Sequence, residues 1–460
     1  MNSAVFSERR RCALAVSFGA WAAAIALAPG VGAKAVLAAP AVLIPLVWCS
    51  LRRPAAWLGL FFAAALLLPP LPIPIGNSGP HPCLLFAALG LLAGLLGLRE
   101  LRIPATSLNG ALAALVCVLL ASVAPAAVHS GAEAAAGSLA RVALLGISLY
   151  VFFFTAYGPG GAGGGAGLRA VYWMAVAAAL FACIDFYFQF PAPAGYGPQF
   201  VWLDSGVFRR AQGLFYEAST LGNFCAFFLV MIAAAFSRPR AESPVSRKAL
   251  AAGGAVFFTA LVLSYSRASL VNVLVALAVL VWRNRSRLRG GRLAVLAAGS
   301  ALLAWDIFPL FIQAYWMRLS ATAEYLFSST EGVLSGRVAS WQTLVAWMSA
   351  NPWQTLTGIG YKTLPYSDYL GTPVVADNMY LALLVETGIC GLAALVWLNV
   401  AILRAAARAS RAPDAQRSFC GTWMLCFWAG QTVQMLSGDL LTYWRVLPVY
   451  LWVLALAVRA

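Results

Sequence analysis

The sequence predicts an all-α polytopic integral membrane protein, and three observations carry that prediction. Of the 460 residues, 62% are apolar and only 10% charged, with a mean hydropathy of +0.82. A soluble chain of this length has no interior able to bury so much apolar surface, so lipid must be part of its solvent. Second, apolar runs of membrane-spanning length follow one another along the whole chain, separated by charges or by Pro and Gly clusters. Third, the Lys and Arg residues segregate between alternate connections. The formal charge of +16 would suit nucleic acid, but its dispersal between apolar runs excludes that partner.

The runs are Cys12–Ala28, Ala33–Cys49, Ala55–Leu71, Cys83–Leu98, Leu108–Val128, Leu139–Tyr157, Ala170–Phe190, Leu221–Phe236, Ala249–Tyr265, Ala268–Trp282, Leu293–Phe311, Met379–Leu403, Ser418–Leu436 and Tyr443–Val458. Several are short or broken by Pro, so roughly 12–14 transmembrane helices are expected, with about two segments re-entrant. Residues 1–460 read as a single transmembrane domain without an internal repeat. Arg9, Arg10 and Arg11 before the first run resemble a signal peptide, but equally apolar runs follow, so an uncleaved first span is expected. The nine cysteines show no metal or disulfide spacing and read as packing residues.

With the N-terminus inside, 22 of the 31 Lys and Arg residues fall in short inner connections and 9 outside. That is the positive-inside pattern, and it predicts cytoplasmic termini. The outward cations are Lys34, Arg141, Arg209, Arg210, Arg267, Arg318, Arg337, Lys362 and Arg445. Three outward segments are polar enough to build a site: Pro191–Thr220, the tight turn Ser264–Arg267, and the long loop at 313–378. In that loop Ser335 is placed to cap an amphipathic helix with Val338, Trp341, Val345 and Met348 on one face, ended by Asn351-Pro352.

Three constellations can carry chemistry. Arg209-Arg210 with Glu217 and Ser219 offers two guanidiniums and a carboxylate, suited to a diphosphate headgroup that Arg grips bidentately. The plainer role for such arginines is snorkelling to lipid phosphates. Ser264-Tyr265-Ser266-Arg267 places an Arg on a turn too short to project far. The third comprises Arg337, Trp341, Gly358-Ile359-Gly360-Tyr361-Lys362, Asp377-Asn378 with Tyr380, and Glu386-Thr387-Gly388. Its Gly-x-Gly follows no strand and opens no helix, so it is not a dinucleotide fingerprint. Along a straight helix Glu386 would lie about 13 Å deeper than Asp377, facing protein or water rather than lipid. It serves equally well as a tie between helices.

From Arg209 to Leu403 the order of these pieces resembles the O-antigen ligase and polymerase superfamily: Arg-x-x-Gly with Glu, Ser-Arg after a span, Arg…Trp…Asn-Pro…Gly-x-Gly, then Asn-x-Tyr-Leu…Glu-Thr-Gly. The resemblance implies a helical bundle related to type C membrane glycosyltransferases. It implies metal-free transfer of a polyprenyl-diphosphate-linked glycan to a glycan acceptor on the periplasmic face of the bacterial inner membrane. No cofactor is expected, and membrane lipid, a chain-length regulator and a lipid-glycan flippase are implied partners. The family's phosphate-binding arginines fall on Arg210 (or Arg209) and Arg267. Its His-Asn pair falls on Asp377-Asn378, a departure where ligases place their histidine; His81 and His129 lie in other outward loops. The segment Gly213-Leu-Phe-Tyr-Glu217-Ala-Ser219 resembles the Gly-x-Phe-x-Glu-Pro-Ser pattern of polymerase-type members. The resemblance therefore favours a polymerase of O-antigen or exopolysaccharide repeat units over a ligase acting on lipid A-core.

The chemistry of the residues agrees. A diphosphate leaves without the general acid that glycosidases need, provided cations stand where charge grows, as Arg210 and Arg267 can. Asp377 is the first candidate base for the attacking hydroxyl and Glu217 the second, with Arg337, Lys362, Asn378, Tyr380 and Glu386 in support. A single inverting displacement is expected. No Asp-x-Asp pair or His cluster suits a metal. The rivals are a secondary transporter or flippase, which would want ionisable groups near the midplane, and a non-catalytic envelope scaffold.

Overall fold

In a lipid solvent every backbone polar group must be satisfied within the protein, which leaves the helix as the element available to apolar runs of this length. The computed structural model describes residues 16–284 and 337–459, apart from 53–54, 72, 74–78, 98, 100, 159–163, 194, 204–205, 240–241, 367–369 and 372–373. The helices are α1 (Val16–Leu27), α2 (Gly30–Arg52), α3 (Ala56–Leu67), α4 (Cys83–Leu96), α5 (Ser107–Ala121), α6 (Val123–Tyr157), α7 (Gly165–Phe188), α8 (Ala218–Phe236), α9 (Arg247–Leu263) and α10 (Arg267–Arg283). Then come α11 (Arg337–Ala350), α12 (Pro352–Thr357), α13 (Met379–Ala409), α14 (Ala415–Gln434), a 3₁₀ turn at Leu440–Thr442, and α15 (Leu447–Val458). Each predicted apolar run coincides with a helix except Leu293–Phe311, which lies outside the described residues.

The molecule is an all-α membrane protein. Among the described residues α6, α7, α8 and α13 are long and apolar enough to cross a bilayer, joined by shorter apolar helices. α8, α14 and α15 form the centre, where Phe227 stacks between Trp423, Phe427 and Tyr450 at ring-centroid distances of 4.2–4.8 Å. α15 has only 12 residues, about 18 Å at helical rise. Its residues from Leu447 to Ala457 are all buried, so it is walled by protein rather than measured against lipid.

One small sheet interrupts the helices. Strands β1 (Phe200–Leu203) and β2 (Gly206–Arg209) pair antiparallel, with Phe200 opposite Arg209 and Leu203 opposite Gly206. The sequence reading treated this stretch only as a polar loop.

The decisive feature is a break in α13. Gly388 takes φ 71° and ψ −170°, which interrupts the helix and is a conformation suited to glycine. Such a break strips carbonyls of their helical partners. The loop after α12 replaces them: Ile359 N donates to Val385 O at 3.2 Å and Gly360 N to Glu386 O at 2.8 Å. The approach is so close that a Cβ on Gly358 or Gly388 would overlap backbone of the opposing segment, and one on Gly360 would overlap Ala126. From Ile389 to Ala409 the helix is about 31 Å long at 1.5 Å per residue, itself enough for a hydrocarbon core of ~30 Å. Glu386 stands two residues before the break, in the first helical segment of α13, which begins at Met379.

α6 is broken likewise at Gly131 (φ 85°, ψ 169°). α11, α12 and the described residues of the loop from 358 to 376 pack together around Leu344, Ile359, Leu364, Val374, Ala376, Ala382 and Val385 and form a cap at the N-terminal end of α13. A helix, α11, stands where the sequence placed one, and its buried residue is Leu344, while Val345 is 54% exposed. Its proposed cap, Ser335, lies outside the described residues. At the other end of the bundle arginines close helix ends: Arg247 Nη1 donates to Ala235 O at 2.8 Å, and Arg283 Nη2 to Ser410 Oγ at 2.9 Å.

Gly388→Val forces a β-branched residue into the left-handed region and against the Leu356 carbonyl. It is expected to lower stability by about 2 kcal/mol or more, read as a fall in thermal midpoint of the detergent-purified protein. Gly59→Ala, with open space around its Cβ, is expected to leave the midpoint near wild type.

Candidate functional site

Under the cap, the starts of α8, α10 and α13 meet the end of α14. Each start carries the positive end of a helix dipole. Ser266 caps α10 by accepting from Ser269 N at 3.4 Å, and Asn378 caps α13 by accepting from Tyr380 N and Leu381 N at 3.1 Å each. Asn378 starts the helix, and the Tyr380 hydroxyl ties it to α14 by donating to Thr432 O at 2.9 Å.

The two arginines left open by the sequence, Arg209 and Arg210, separate. Arg209 closes the hairpin: it is 8% exposed, and its Nη2 lies 2.6 Å from Asp185 Oδ1 in a buried ion pair. Its guanidinium is committed there, which corrects the expectation that it serves a headgroup beside Arg210. Arg210 turns the other way, its Nε donating to Ser264 O at 2.8 Å while Ala211 N donates to Leu263 O at 3.0 Å. Two segments far apart in sequence are thereby joined, and Arg210 comes to the turn that ends in Arg267, the first residue of α10. Tyr265 in that turn has φ 50°, a conformation uncommon for a non-glycine residue.

A buried amide network holds the start of α10 in register. Asn223 of α8 and Asn272 of α10 both donate to Gln431 and Gln434 of α14 at 2.6–3.2 Å. Tyr450 of α15 donates to Asn223 Oδ1 at 2.7 Å, and Gln434 Nε2 to Ser269 Oγ at 3.2 Å. Polar groups away from water need such partners, and here they clamp four helices at fixed depth. None of these four amides stands out in the sequence, because all lie within apolar runs.

The carboxylates gather on the opposite flank. Asp377, in the left-handed region at φ 44°, accepts from Arg337 Nε at 3.0 Å, with 46% of its side chain exposed. Trp341 Nε1 donates to Ala376 O at 2.6 Å, fixing the backbone just before it. Glu217 precedes α8 and accepts from Ser219 Oγ at 2.7 Å. Ser219 also bonds the buried Tyr443 phenol, which lies in the field of Glu217, Asp439 and Asp377. The Lys362 ammonium pairs with Asp439. Burial works against its charge, but Asp439 and Glu386 outweigh that and hold Lys362 above the ordinary lysine range. Arg141 Nη1 donates to Lys362 O at 3.3 Å, and its guanidinium lies 4.7 Å over the Tyr366 ring. Glu386 is 2% exposed, and its Oε2 has no hydrogen-bond partner among the described residues.

Asp439, Tyr443 and Arg141 were missed as site residues. For Asp439 a signal existed: with 15 Asp and Glu in 460 residues, each outward carboxylate is conspicuous. Arg445, an outward cation in the sequence, is 4% exposed. Its Nε donates to Ala65 O at 3.0 Å and Nη2 to Leu68 O at 3.2 Å, so it closes the negative end of α3.

His81 packs edge-on against Trp444 at 5.8 Å, and its Nε2 lies 3.0 Å from Leu68 O. Burial first, then the Arg445 charge, lower its pKa from 6.5 to about 3. Below pH 6.5 the unfolded chain therefore takes up a proton that folded His81 refuses. Stability is expected to fall by up to about 1.4 kcal/mol per pH unit through that window. Thermal midpoints measured from pH 7 to 4 check this, and His81→Asn should flatten the profile.

No curated protein matches this chain. Residues 252–396, running from α9 into α13, match the family model described as O-antigen ligase. That stretch contains Arg267, Arg337, Lys362, Asp377 and Glu386, and over it the chain is similar to the O-antigen ligase family.

Proposed function

We propose that the protein transfers a glycan from a polyprenyl diphosphate to a sugar hydroxyl at the cap end of the bundle, and that it polymerises repeat units. The observation that carries this is the hydrogen bond from Arg210 to Ser264, which brings Arg210 to the turn bearing Arg267. Arg210, the first residue of α10 (Arg267) and the positive end of that helix are then close to one another, and cations so grouped suit a place where a diphosphate's charge grows. As the acceptor oxygen bonds to the anomeric carbon, the bond from that carbon to the phosphate oxygen breaks, and the electron pair leaves with the diphosphate. The hydroxyl proton passes to Asp377, which Arg337 positions, with Glu217 as the second candidate. One displacement inverts the anomeric configuration, and no covalent intermediate forms.

The chemistry of the site favours polymerisation over ligation at one point. Asp377-Asn378 stands where ligases place a histidine, and the Gly213–Ser219 segment has the polymerase-type pattern. Broken helices are also a transporter feature, but transporters break theirs near the midplane. Here the breaks at Gly131 and Gly388 lie near the cap ends of α6 and α13. The segregation of arginines to the end opposite the cap supports a periplasmic site, cytoplasmic termini and an inner-membrane location.

Glycan analysis of cells carrying Arg210→Ala, Arg267→Ala or Asp377→Asn, at matched membrane levels, tests the reading. Each variant is expected to lose about 100-fold or more of polymer while single lipid-linked repeat units accumulate. Accumulation of long lipid-linked polymer would instead mark a ligase. Wild-type polymer in all three would remove these residues from the chemistry, and a product with retained anomeric configuration would exclude a single displacement.

A further inference from the structure

A second group of cations lies at the end opposite the cap. Arg102, Arg408, Arg417 and Arg459 line a cavity of about 750 Å³, together with Thr106 and Tyr157, between the ends of α6, α13 and α15 and the starts of α5 and α14. Its remaining lining is mostly apolar, and among the described residues it includes no carboxylate. These arginines differ from their neighbours at the same end. Arg238 and Arg283 place guanidinium N–H groups on hydroxyls, and Arg247 on a carbonyl, at 2.8–2.9 Å. Arg417 Nε, by contrast, is buried with no hydrogen-bond partner among the described residues. Among the described residues Arg459 Nη1 reaches Thr155 O, at 3.3 Å. Asp414 does not line the cavity, and its Oδ1 is engaged in capping α14 by accepting from Arg417 N at 2.7 Å.

Four like charges around one partly enclosed space repel each other unless an anion joins them. Guanidinium forks match the oxygens of a phosphate, and the volume falls within the range of small-molecule sites. Cations at the mouth and apolar walls behind suit an amphiphile, and the cavity opens where headgroups lie when the helices cross a bilayer. We propose that this cavity is a phosphate-binding site, occupied by the phosphate of an anionic membrane lipid in the leaflet opposite the cap. The site is independent of the transfer reaction and stands whether or not that reading does.

The test uses the full-length protein in mild detergent. Thermal midpoints are titrated with phosphatidylglycerol, with phosphatidylcholine and with inorganic diphosphate at constant ionic strength, and retained lipid is counted by native mass spectrometry. Phosphatidylglycerol is expected to raise the wild-type midpoint and to remain bound. Arg417→Gln with Arg459→Gln should weaken it about tenfold or more. Arg404→Gln with Arg411→Gln, removing equal charge from the same end outside the cavity, should bind as wild type. Arg408→Gln, on the exposed rim, supplies a variant whose folding is not at risk and should also weaken binding. Stabilisation by diphosphate as strong as by phosphatidylglycerol would keep the phosphate site and assign it a soluble ligand. Unchanged binding in the cavity variants, or equal loss in the control pair, overturns the proposal.

Discussion

A carbonyl left without a partner inside a bilayer costs several kcal/mol, and the cap end of this protein is organised around avoiding that cost at Gly388. The break in α13 frees backbone acceptors, and the 358–360 segment can supply donors to them only if glycines let two backbones touch. Once seated, that segment has little freedom. It carries Lys362 to Asp439 and against Glu386, brings its backbone to Arg141, and roofs the space above the starts of α8 and α13. The Gly-x-Gly and the Glu-Thr-Gly, two short motifs nearly thirty positions apart, are thus halves of one joint.

Charge is arranged around that joint with little redundancy. Three of the scarce carboxylates hold a cation: Asp185 pairs with Arg209, Asp439 with Lys362, and Asp377 with Arg337. The buried pairs are commitments, since removing either partner leaves a charge in a poor dielectric. The Asp377 pair is half exposed and screened, which suits the proton-accepting role proposed for it. The amide network fixes the start of α10, where Arg267 lies, without adding charge.

The protein therefore separates its work by depth. Aromatic packing at the centre supplies rigidity, as in the Phe227, Trp423 and Tyr450 cluster. The amides below the cap set register, the cap presents the ionisable groups, and the far end carries arginines that close helix ends or surround a cavity.

Much of this was legible beforehand. Hydropathy located the helices because lipid permits one solution for long apolar runs, and the order of short polar motifs was sufficient to suggest the family. The choice between Arg209 and Arg210 was not legible, because neighbours on an extended strand point to opposite faces and Asp185 comes from another helix. Nor was Leu344 in place of Val345, since the inward face of α11 depends on what the cap packs beneath it. Asp439 and Tyr443 escaped because their role arises only when the end of α14 meets the start of α8. Composition and local pattern, governed by the solvent, determined the fold class and the candidate residues. Which of those residues share a site was decided by the break at Gly388, the hairpin and the amide network, because contacts between distant segments are set by packing and not by spacing.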